Sequence, residues 1–261
     1  MKRTALLSGS AAMMLPAIAL AFQPLVTDDT GTQGAGGNQV EASYVRTVDK
    51  VANTRTVTQE VPLAYARGIT DALDLTLGIG HQRIAPDAPG TTERGWGNPV
   101  LGAKWRFYDN EAAKLSFALK PELQLPVSDG REARGLGTAR ASYGIGLLMT
   151  QETGFGAVHA NLVAERVNYA DDALNAAERR TTYRLSAAPV WDVAGNWKLA
   201  LDAGIMTNPD RAVRARMGYV ELGAIYSPTK DLDLALGIIR NFMDGDVQTT
   251  QATAGLTWRF R

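Results

Sequence analysis

Few residues in this chain of 261 have the types and spacing that catalytic chemistry needs. Cysteine is absent, which removes thiolate nucleophiles, thiolate metal sites and disulfides, and the two histidines are His81 and His159. The sequence contains no Gly-x-Ser-x-Gly, no Gly-x-x-x-x-Gly-Lys-Ser/Thr and no His-Glu-x-x-His motif. A lipid-hydrolysing Ser/His pair needs both groups within hydrogen-bond reach, and no serine is near His81 in the sequence. We therefore predict no catalytic residues and no enzymatic activity.

Two acidic clusters have side chains that could ligate a cation. Asp28 and Asp29 could bind calcium through their oxygens, but they lie between threonines in a glycine-rich stretch, which favours a turn or bend. Asp244 and Asp246 flank a glycine and indicate the tip of a hairpin. We predict neither a metal site nor a cofactor.

The balance of charge excludes one class of partner. Lys and Arg total 27, and Asp and Glu also total 27, so the chain has no net positive field that would attract nucleic acid. We predict no nucleic-acid partner.

The N-terminal residues are typical of a secretory signal peptide. Lys2 and Arg3 precede a mainly small and apolar stretch at 4–20, and Ala-Leu-Ala at 19–21 matches a cleavage site, so we predict a signal peptide over 1–21. After residue 21 no apolar run approaches the ~20 residues of a membrane helix. Such an exported chain is periplasmic, secreted or an outer-membrane barrel.

The rest of the chain has a strand-like hydrophobic period. Residues 22–37 are rich in glycine and without period, and we call them the leader. From there apolar residues alternate with polar or small ones, as in "LDLTLGI" at 73–79 and "LDLALGI" at 232–238. The stretch 171–180 comes nearest to a helix but is predicted to be loop. The predicted strands are 39–47, 56–67, 73–80, 97–108, 114–127, 138–150, 156–169, 180–193, 197–206, 216–226, 232–242 and 247–260.

The lengths of the predicted connections alternate along the chain. Those after the even-numbered strands are short, such as 109–113 and 194–196, whereas most of those after the odd-numbered strands are longer, such as 81–96 and 128–137. Tight periplasmic turns and longer outer loops are typical of transmembrane barrels. The sequence therefore predicts an all-β protein: a single closed antiparallel transmembrane β-barrel of about 12 strands over 38–261, preceded by the leader.

The two faces of the predicted strands differ in polarity. The aliphatic face would contact lipid, and the charged face a wet lumen, because a Lys or Arg at mid-membrane costs ~2–4 kcal/mol. Aromatic residues gather near the short connections and predict a girdle at the membrane boundary. The predicted lumen-lining residues, which form a candidate solute pathway, are Lys104, Arg106, Lys120, Glu122, Arg140, His159, Asn161, Glu165, Arg184, Asp202 and Glu221. The predicted girdle residues are Tyr65, Trp105, Phe107, Trp191, Trp197, Tyr226, Trp258 and Phe260.

Connection lengths also predict a row of alternating charges in the lumen. Pairing the strands across their connections places Glu165 between Arg140 and Arg184, with Glu122 one diagonal beyond Arg140. Such a row would set up a field across the pore that orients dipolar or anionic solutes.

Three stretches resemble known outer-membrane sequences. The C-terminal "QATAGLTWRFR" resembles the assembly signal of bacterial outer-membrane barrels, although Arg261 follows the aromatic Phe260. The stretches "PLVTDDTGTQGAGGNQVEASY" (24–44) and "GWGNPVLGAKWRF" (95–107) resemble the family of outer-membrane barrels named for the meta-pathway of phenol degradation. That family implies an outer-membrane transporter, often associated with genes for aromatic degradation, and supplies no catalytic residues.

Together these features predict a channel in the bacterial outer membrane. We expect passive uptake of small hydrophobic or aromatic molecules through a narrow charged lumen, which the leader enters and restricts as a plug. The expected partners are outer-membrane lipid, the small solute and the barrel assembly machinery, which would recognise the C-terminal strand. The alternatives are a structural or adhesive barrel that acts through its outer loops and, less favoured, a lipid-modifying outer-membrane enzyme.

Overall fold

The computed structural model describes residues 24–87, 92–242 and 247–261. The predicted signal peptide and the hairpin tip with Asp244 and Asp246 lie outside these residues. The strands are β1 (Asn38–Val51), β2 (Thr54–Thr70), β3 (Leu73–Pro86), β4 (Glu93–Trp96), β5 (Val100–Asn110), β6 (Leu115–Gln124), β7 (Ser142–Thr153), β8 (Gly156–Arg166), β9 (Thr181–Ala194), β10 (Trp197–Met206), β11 (Met217–Thr229), β12 (Leu232–Phe242) and β13 (Val247–Phe260). Two short helices, α1 (Asp129–Glu132) and α2 (Asp172–Ala177), lie in connections.

The strands close into one antiparallel barrel. β1 pairs with β13 from Asn38 opposite Phe260 onward, and its other edge pairs with β2. β4 and β5 both pair with β3 and share one position in the wall, interrupted at 97–99. The wall therefore has twelve positions, and the predicted closed 12-stranded barrel is confirmed.

The two ends of the barrel differ in their connections. One end, the short-turn end, has turns at 71–72, 111–114, 154–155, 195–196 and 230–231. The opposite end, the long-loop end, has the connections 87–92, 125–141, 167–180 and 207–216. The two-residue turn between β1 and β2 also lies at this end. In bacterial outer-membrane barrels the short turns are periplasmic.

The predicted connections 81–96 and 171–180 differ from the structure. The predicted loop 81–96 is wrong, because β3 continues to Pro86 and pairs along its whole length with the long strand β2, so His81 lies on a strand. The His81 ring packs edge-on against Trp96, with 5.2 Å between centroids. The predicted loop 171–180 contains α2, whose first turn is capped when the Ala173 amide donates to the Asp171 carboxylate. Within the described parts of the chain, no helix is long and apolar enough to span a membrane.

The repeated heptapeptides show how the wall separates lipid from lumen. In the first, Leu77 is 51% exposed on the outside while Asp74 is 2% exposed inside, and in the second Leu236 is 63% exposed while Asp233 is 9% exposed. The outward aliphatic side chains of neighbouring strands form a continuous band. An apolar belt of this kind is stable only when hydrocarbon covers it.

Aromatic side chains mark the short-turn end of the band. Trp105, Trp197 and Trp258 are about half exposed on the outer surface, as is Phe107. Ring pairs connect the predicted girdle residues, with centroid distances of 5.8 Å for Trp105–Phe107, 4.8 Å for Trp197–Tyr226 and 4.6 Å for Trp258–Phe260. Trp191 stacks on Phe155 at 6.0 Å. The Tyr65 hydroxyl donates to Asn38 at the start of β1. The recognition of β13 by assembly machinery stays a prediction.

Candidate functional site

The described part of the leader, 24–37, crosses the inside of the barrel. It begins against the inner faces of β9–β12, continues past β6–β8 and leaves at the β2–β3 turn before it enters β1. Inside the lumen the leader contacts the wall through side-chain packing and through hydrogen bonds in which the donor or the acceptor is a side chain. The leader is therefore a separate segment held within the lumen and not a strand of the wall.

Two apolar residues hold the first part of the leader. Leu25 packs on Ala188, Val190 and Ala200, and all four are buried. Val26 packs in a second buried cluster, whose other members are Met206, Met217, Tyr219 and Ile239. Full burial of a Val or Leu side chain contributes about 1.5–3 kcal/mol, so this pair is a substantial part of the leader's attachment.

Thr27 is bound by a buried polar group on β9–β11. Its amide donates to Asp202 Oδ2 at 2.7 Å, and its hydroxyl bonds Asp202 Oδ1 and Ser186 Oγ, each at 2.8 Å. The Tyr219 hydroxyl donates to the same carboxylate at 2.9 Å. Asp202, one of the predicted lumen residues, therefore binds the leader through both of its carboxylate oxygens.

Asp28 lies between two lysines at the centre of the barrel. Its Oδ1 is 3.0 Å from Lys104 Nζ and its Oδ2 is 2.7 Å from Lys120 Nζ. Its amide donates to Asn161 Oδ1 at 2.6 Å, and Asn161 Nδ2 donates back to the Asp28 carbonyl at 2.8 Å. All four of these residues have little or no solvent exposure in their side chains.

The two lysines decide the charge of Asp28. Burial raises the pKa of the Asp28 carboxyl, but the ammonium groups of Lys104 and Lys120 outweigh burial and lower it to about 2. The carboxylate therefore contributes its full stabilisation above its ordinary pKa near 4 and loses it only as the pH falls through about 2. At neutral pH the leader presents a fixed anion to two buried cations.

The next contacts reach β6–β8. The Thr30 amide donates to Thr150 Oγ1 at 3.1 Å, and the Thr30 and Ser116 hydroxyls are 2.6 Å apart. Thr150 Oγ1 also lies 3.0 Å from His159 Nδ1. This buried histidine, predicted to face the lumen, therefore lies one hydrogen bond behind the leader.

The leader leaves the lumen in a tight turn against β2 and the β2–β3 turn. The Gln33 amide donates to Asp74, with 2.9 Å to the nearer oxygen, and the Gly36 amide donates to the Gly68 carbonyl at 3.0 Å. The Gly68 amide donates in return to the Gly37 carbonyl at 2.9 Å. Gly34 and Gly36 both have positive φ, at 71° and 81°, which glycine adopts without strain.

The predicted alternating row of charges is wrong in its register. Glu165 pairs with Thr182 on β9, which places Arg184 one diagonal away, opposite Val163. Arg140 precedes β7, and its side chain is 60% exposed and lies 3.9 Å from Asp129. The predicted placement of Arg140 in the lumen wall is therefore wrong.

The reason is a folded loop in place of the predicted start of a strand. Asn98 binds both sides of this loop, since its Nδ2 donates to the Leu125 and Thr138 carbonyls and its Oδ1 accepts from the Thr138 amide at 2.8 Å. The chain can therefore not pair as a strand before Ser142.

Two acidic side chains face each other across a glycine instead. Glu122 and Glu165 both lie opposite Gly144, on its two sides. Lys120 Nζ is 3.5 Å from Glu122, so this acidic pair adjoins the cluster around Asp28. The wall here is not an alternating row but one acidic patch beside one basic patch.

The remaining predicted lumen residues are Arg106, at the short-turn end, and Glu221, beside the first part of the leader. The Arg106 guanidinium binds the Asp71 carbonyl at 3.1 Å and Asp109 at 3.2 Å, at the short-turn end. Glu221 is fully buried opposite Asp202. Thr27, Ser186 and Tyr219 also belong to the site, although the sequence pattern does not predict them. The one sequence feature that could have indicated these partners is Asp202, an acidic residue on the lumen face that needs hydrogen-bond donors.

A cavity remains between the leader and the β1–β5 side of the wall. It has a volume of about 720 Å³ and reaches from Lys104 and Lys120 to the short-turn end. Its inner part is lined by charged side chains that also include Asp28, Glu41 and Asp74, and its mouth by Gln39, Lys230 and Arg259 at the short-turn end. A space of this size holds a small organic molecule.

The connections at the long-loop end are bound to each other. The Glu132 carboxylate accepts the amides of Ala139, Ala170 and Asp171 at 2.6, 3.1 and 2.8 Å, which joins two loops. Arg179 donates to the carbonyls of Asn208 and Asp210 and joins a third. Among the residues that the structure describes, no three acidic or histidine side chains are grouped to hold a metal ion.

The closed wall, the external aliphatic belt and the aromatic girdle define an outer-membrane β-barrel, located in the outer membrane of a Gram-negative bacterium. Residues 26–260 match the family described as "Putative MetA-pathway of phenol degradation". The chain belongs to this family, as the sequence resemblance predicted.

Solved structures of other barrels share the fold at low sequence identity. The COG4313 outer membrane channel from Pseudomonas putida F1 is similar with a TM-score of 0.72 and 14% identity, over 89% of this chain and 98% of that one. The NanC porin gives a TM-score of 0.55 and 9% identity, over 83% and 98% of the two chains. The Ralstonia pickettii toluene transporter TbuX gives 0.50 and 9%, over 87% and 90%. No curated protein sequence matches this chain.

Proposed function

We propose that this protein is an outer-membrane channel for small organic molecules, closed by its own leader. The observation that carries the proposal is the position of Asp28 between Lys104 and Lys120. The leader lies in the lumen but forms no strand of the wall, so it can leave without breaking the barrel. A segment that only stabilised the barrel would not need a buried ion cluster, since apolar packing does this at lower cost.

The solute that we propose is a small aromatic molecule with an acidic or hydroxyl group. A carboxylate or phenolate that enters the cavity of about 720 Å³ reaches the same two lysines that Asp28 occupies. The family's association with phenol degradation supports the aromatic class.

The solute passes by exchanging places with the Asp28 carboxylate. The solute anion takes hydrogen bonds from the ammonium groups of Lys104 and Lys120, and the leader carboxylate gives them up. Because the cations are never left without a counterion, the exchange avoids the several kcal/mol that an unpaired buried charge costs. No bond is made or broken, so the proposed function is not enzymatic.

Removal of the leader tests the proposal. In planar bilayers and in liposomes that hold benzoate or phenol, deletion of residues 24–34 is expected to raise single-channel conductance and solute flux several-fold. A second variant, with 24–34 replaced by glycine and serine at equal length, is expected to conduct almost as well, because the contacts and not the volume close the pore.

Conductance that stays the same in both variants contradicts the closure by the leader. If neither the parent nor the variants pass ions or solutes, the alternative of a structural or adhesive barrel is favoured. Release of fatty acid from phospholipid by the purified parent would instead favour the enzyme alternative.

A further inference from the structure

The outer surface of the barrel carries a cluster of positive charge at the long-loop end. Its members occupy outward-facing positions on four of the five adjacent strands β3, β2, β1, β13 and β12, and we call them the basic patch: Arg46, Lys50, Arg55, Arg83 and Arg240. Their outward direction follows from the alternation of the strands, because the intervening Thr47, Asp49 and Thr249 are buried inside.

Strand pairing brings these cations together. Lys50 lies directly opposite Arg55 on β2, and Arg46 lies opposite Gln59, which in turn lies opposite Arg83 on β3. Like charges at directly opposite positions destabilise a sheet. A pair such as Lys50 and Arg55 is therefore favourable only if an anion lies between or above the two side chains.

The wall is concave at this place. A notch of about 320 Å³ is lined by Val48, Lys50, Arg55, Arg240, Gln248 and Thr250. The Arg240 guanidinium is oriented by a hydrogen bond of 2.6 Å to Thr250 Oγ1, its neighbour across the strands. Three cations thus surround a space large enough for a phosphate group and part of a sugar.

The negative charge on this face is smaller than the positive charge. Of the described residues on the outward face of β12, β13, β1, β2 and β3 and the residue that follows β3, Asp87 is the one carboxylate, 3.7 Å from Arg55 and more than half exposed. The five cations of the basic patch and Asp87 together carry a net charge of +4.

The depth of the patch in the membrane identifies the ligand. Arg46 is two residues beyond Tyr44, which is 43% exposed on the outer surface, and Arg240 is two residues beyond Ile238, which is 52% exposed in the aliphatic band. The patch therefore lies immediately above the hydrocarbon, on the outer side. This is the level of the phosphate groups of the glycolipid that forms the outer leaflet.

We propose that the basic patch binds a phosphate of lipopolysaccharide, with the acyl chains of that lipid lying on the aliphatic band below it. Arginine and lysine donate charge-assisted hydrogen bonds to phosphate oxygens, and basic pockets at a membrane surface bind anionic headgroups. The site is on the outside of the wall and independent of the lumen, so it holds whether or not the leader closes the channel.

Binding of defined lipids to the folded protein in detergent tests this site. Native mass spectrometry would measure the affinity for bis-phosphorylated lipid A, for the same lipid without phosphates, and for inorganic phosphate. The parent is expected to prefer the phosphorylated lipid at least tenfold. The double variant Lys50→Gln/Arg240→Gln is expected to lose that preference, with binding weaker by roughly 10- to 30-fold.

A matched control removes two positive charges elsewhere at the same end. Arg214→Gln/Arg216→Gln changes two exposed arginines of the connection 207–216 and is expected to alter lipid binding less than twofold. Both double variants are first checked for the heat-dependent gel mobility of a folded barrel. Equal binding of the two forms of lipid A, or equal loss in both double variants, overturns the proposal. Full competition by millimolar inorganic phosphate overturns it in favour of a site for free phosphate.

Discussion

Replacing Asp28 with asparagine is expected to change the channel from mostly closed to frequently open. Removal of one member of a buried ion cluster costs about 3–5 kcal/mol, because the charges left behind lose their counterion. Lys104 keeps Asp29 and Lys120 keeps Glu122, each at 3.5 Å, so we expect the lower end of that range. About 3 kcal/mol corresponds to a shift of roughly 100-fold in the equilibrium between leader inside and leader outside the lumen.

Single-channel recording measures this shift as a rise in open probability. The control is Asp29→Asn, which removes the same charge from the neighbouring position, where the carboxylate is 23% exposed and 3.5 Å from Lys104. A partly exposed ion pair contributes about 1 kcal/mol or less, so the control is expected to change the open probability less than tenfold. Equal behaviour of the two variants would show that Asp28 has no special part in closure.

Substitution of Gly68 by alanine is expected to release the leader at its other end. An alanine Cβ at this position would overlap the backbone carbonyl of Gly34, which cannot move aside as a flexible side chain could. The turn at 34–37 must then separate from β2, and the two hydrogen bonds that join Gly68 to Gly36 and Gly37 are lost. At about 1 kcal/mol for each bond, the leader should detach roughly 10- to 30-fold more often.

Limited proteolysis in detergent reports this detachment, because a leader outside the lumen is accessible to protease. The control is Gly130→Ala in α1, where a Cβ meets no atom within 4 Å. We expect faster cleavage of the leader in Gly68→Ala and the parental rate in Gly130→Ala. The idea that the leader is anchored at Gly68 fails if both variants are cleaved like the parent.

The fold could be predicted from the sequence because its main determinant is local. A period of two with one aliphatic face is visible in most of the strands, and the lumen parity of Lys104, Lys120 and Asp202 follows from it. The ends of the strands could not be predicted in the same way. At the long-loop end β2 and β3 continue with polar residues above the membrane, where no difference between faces is required.

The strand registers and the path of the leader could not be predicted from local sequence, because both depend on contacts between residues far apart in the chain. The predicted position of Arg140 assumed a simple loop, whereas Asn98, far away in the sequence, binds that loop on both sides. The leader has no period, and Asp28 was interpreted as part of a bend. Asp28 neutralises Lys104 and Lys120 because the three side chains lie close together across the lumen. The period of the sequence gives no information about such distances.

The claim that the leader closes the channel is tested most directly by a disulfide that joins the leader reversibly to the wall. The chain has no cysteine, so the pair Thr27→Cys/Ser186→Cys can form one defined disulfide at a place where the two native hydroxyl oxygens are 2.8 Å apart. Conductance of this variant would be recorded before and after reduction in the same bilayer. We expect a channel that stays closed while oxidised and opens after reduction, and we expect the reductant to leave the conductance of each single-cysteine variant unchanged. Equal conductance and equal benzoate flux in the oxidised and reduced states, with the disulfide verified by mass spectrometry, would contradict closure by the leader.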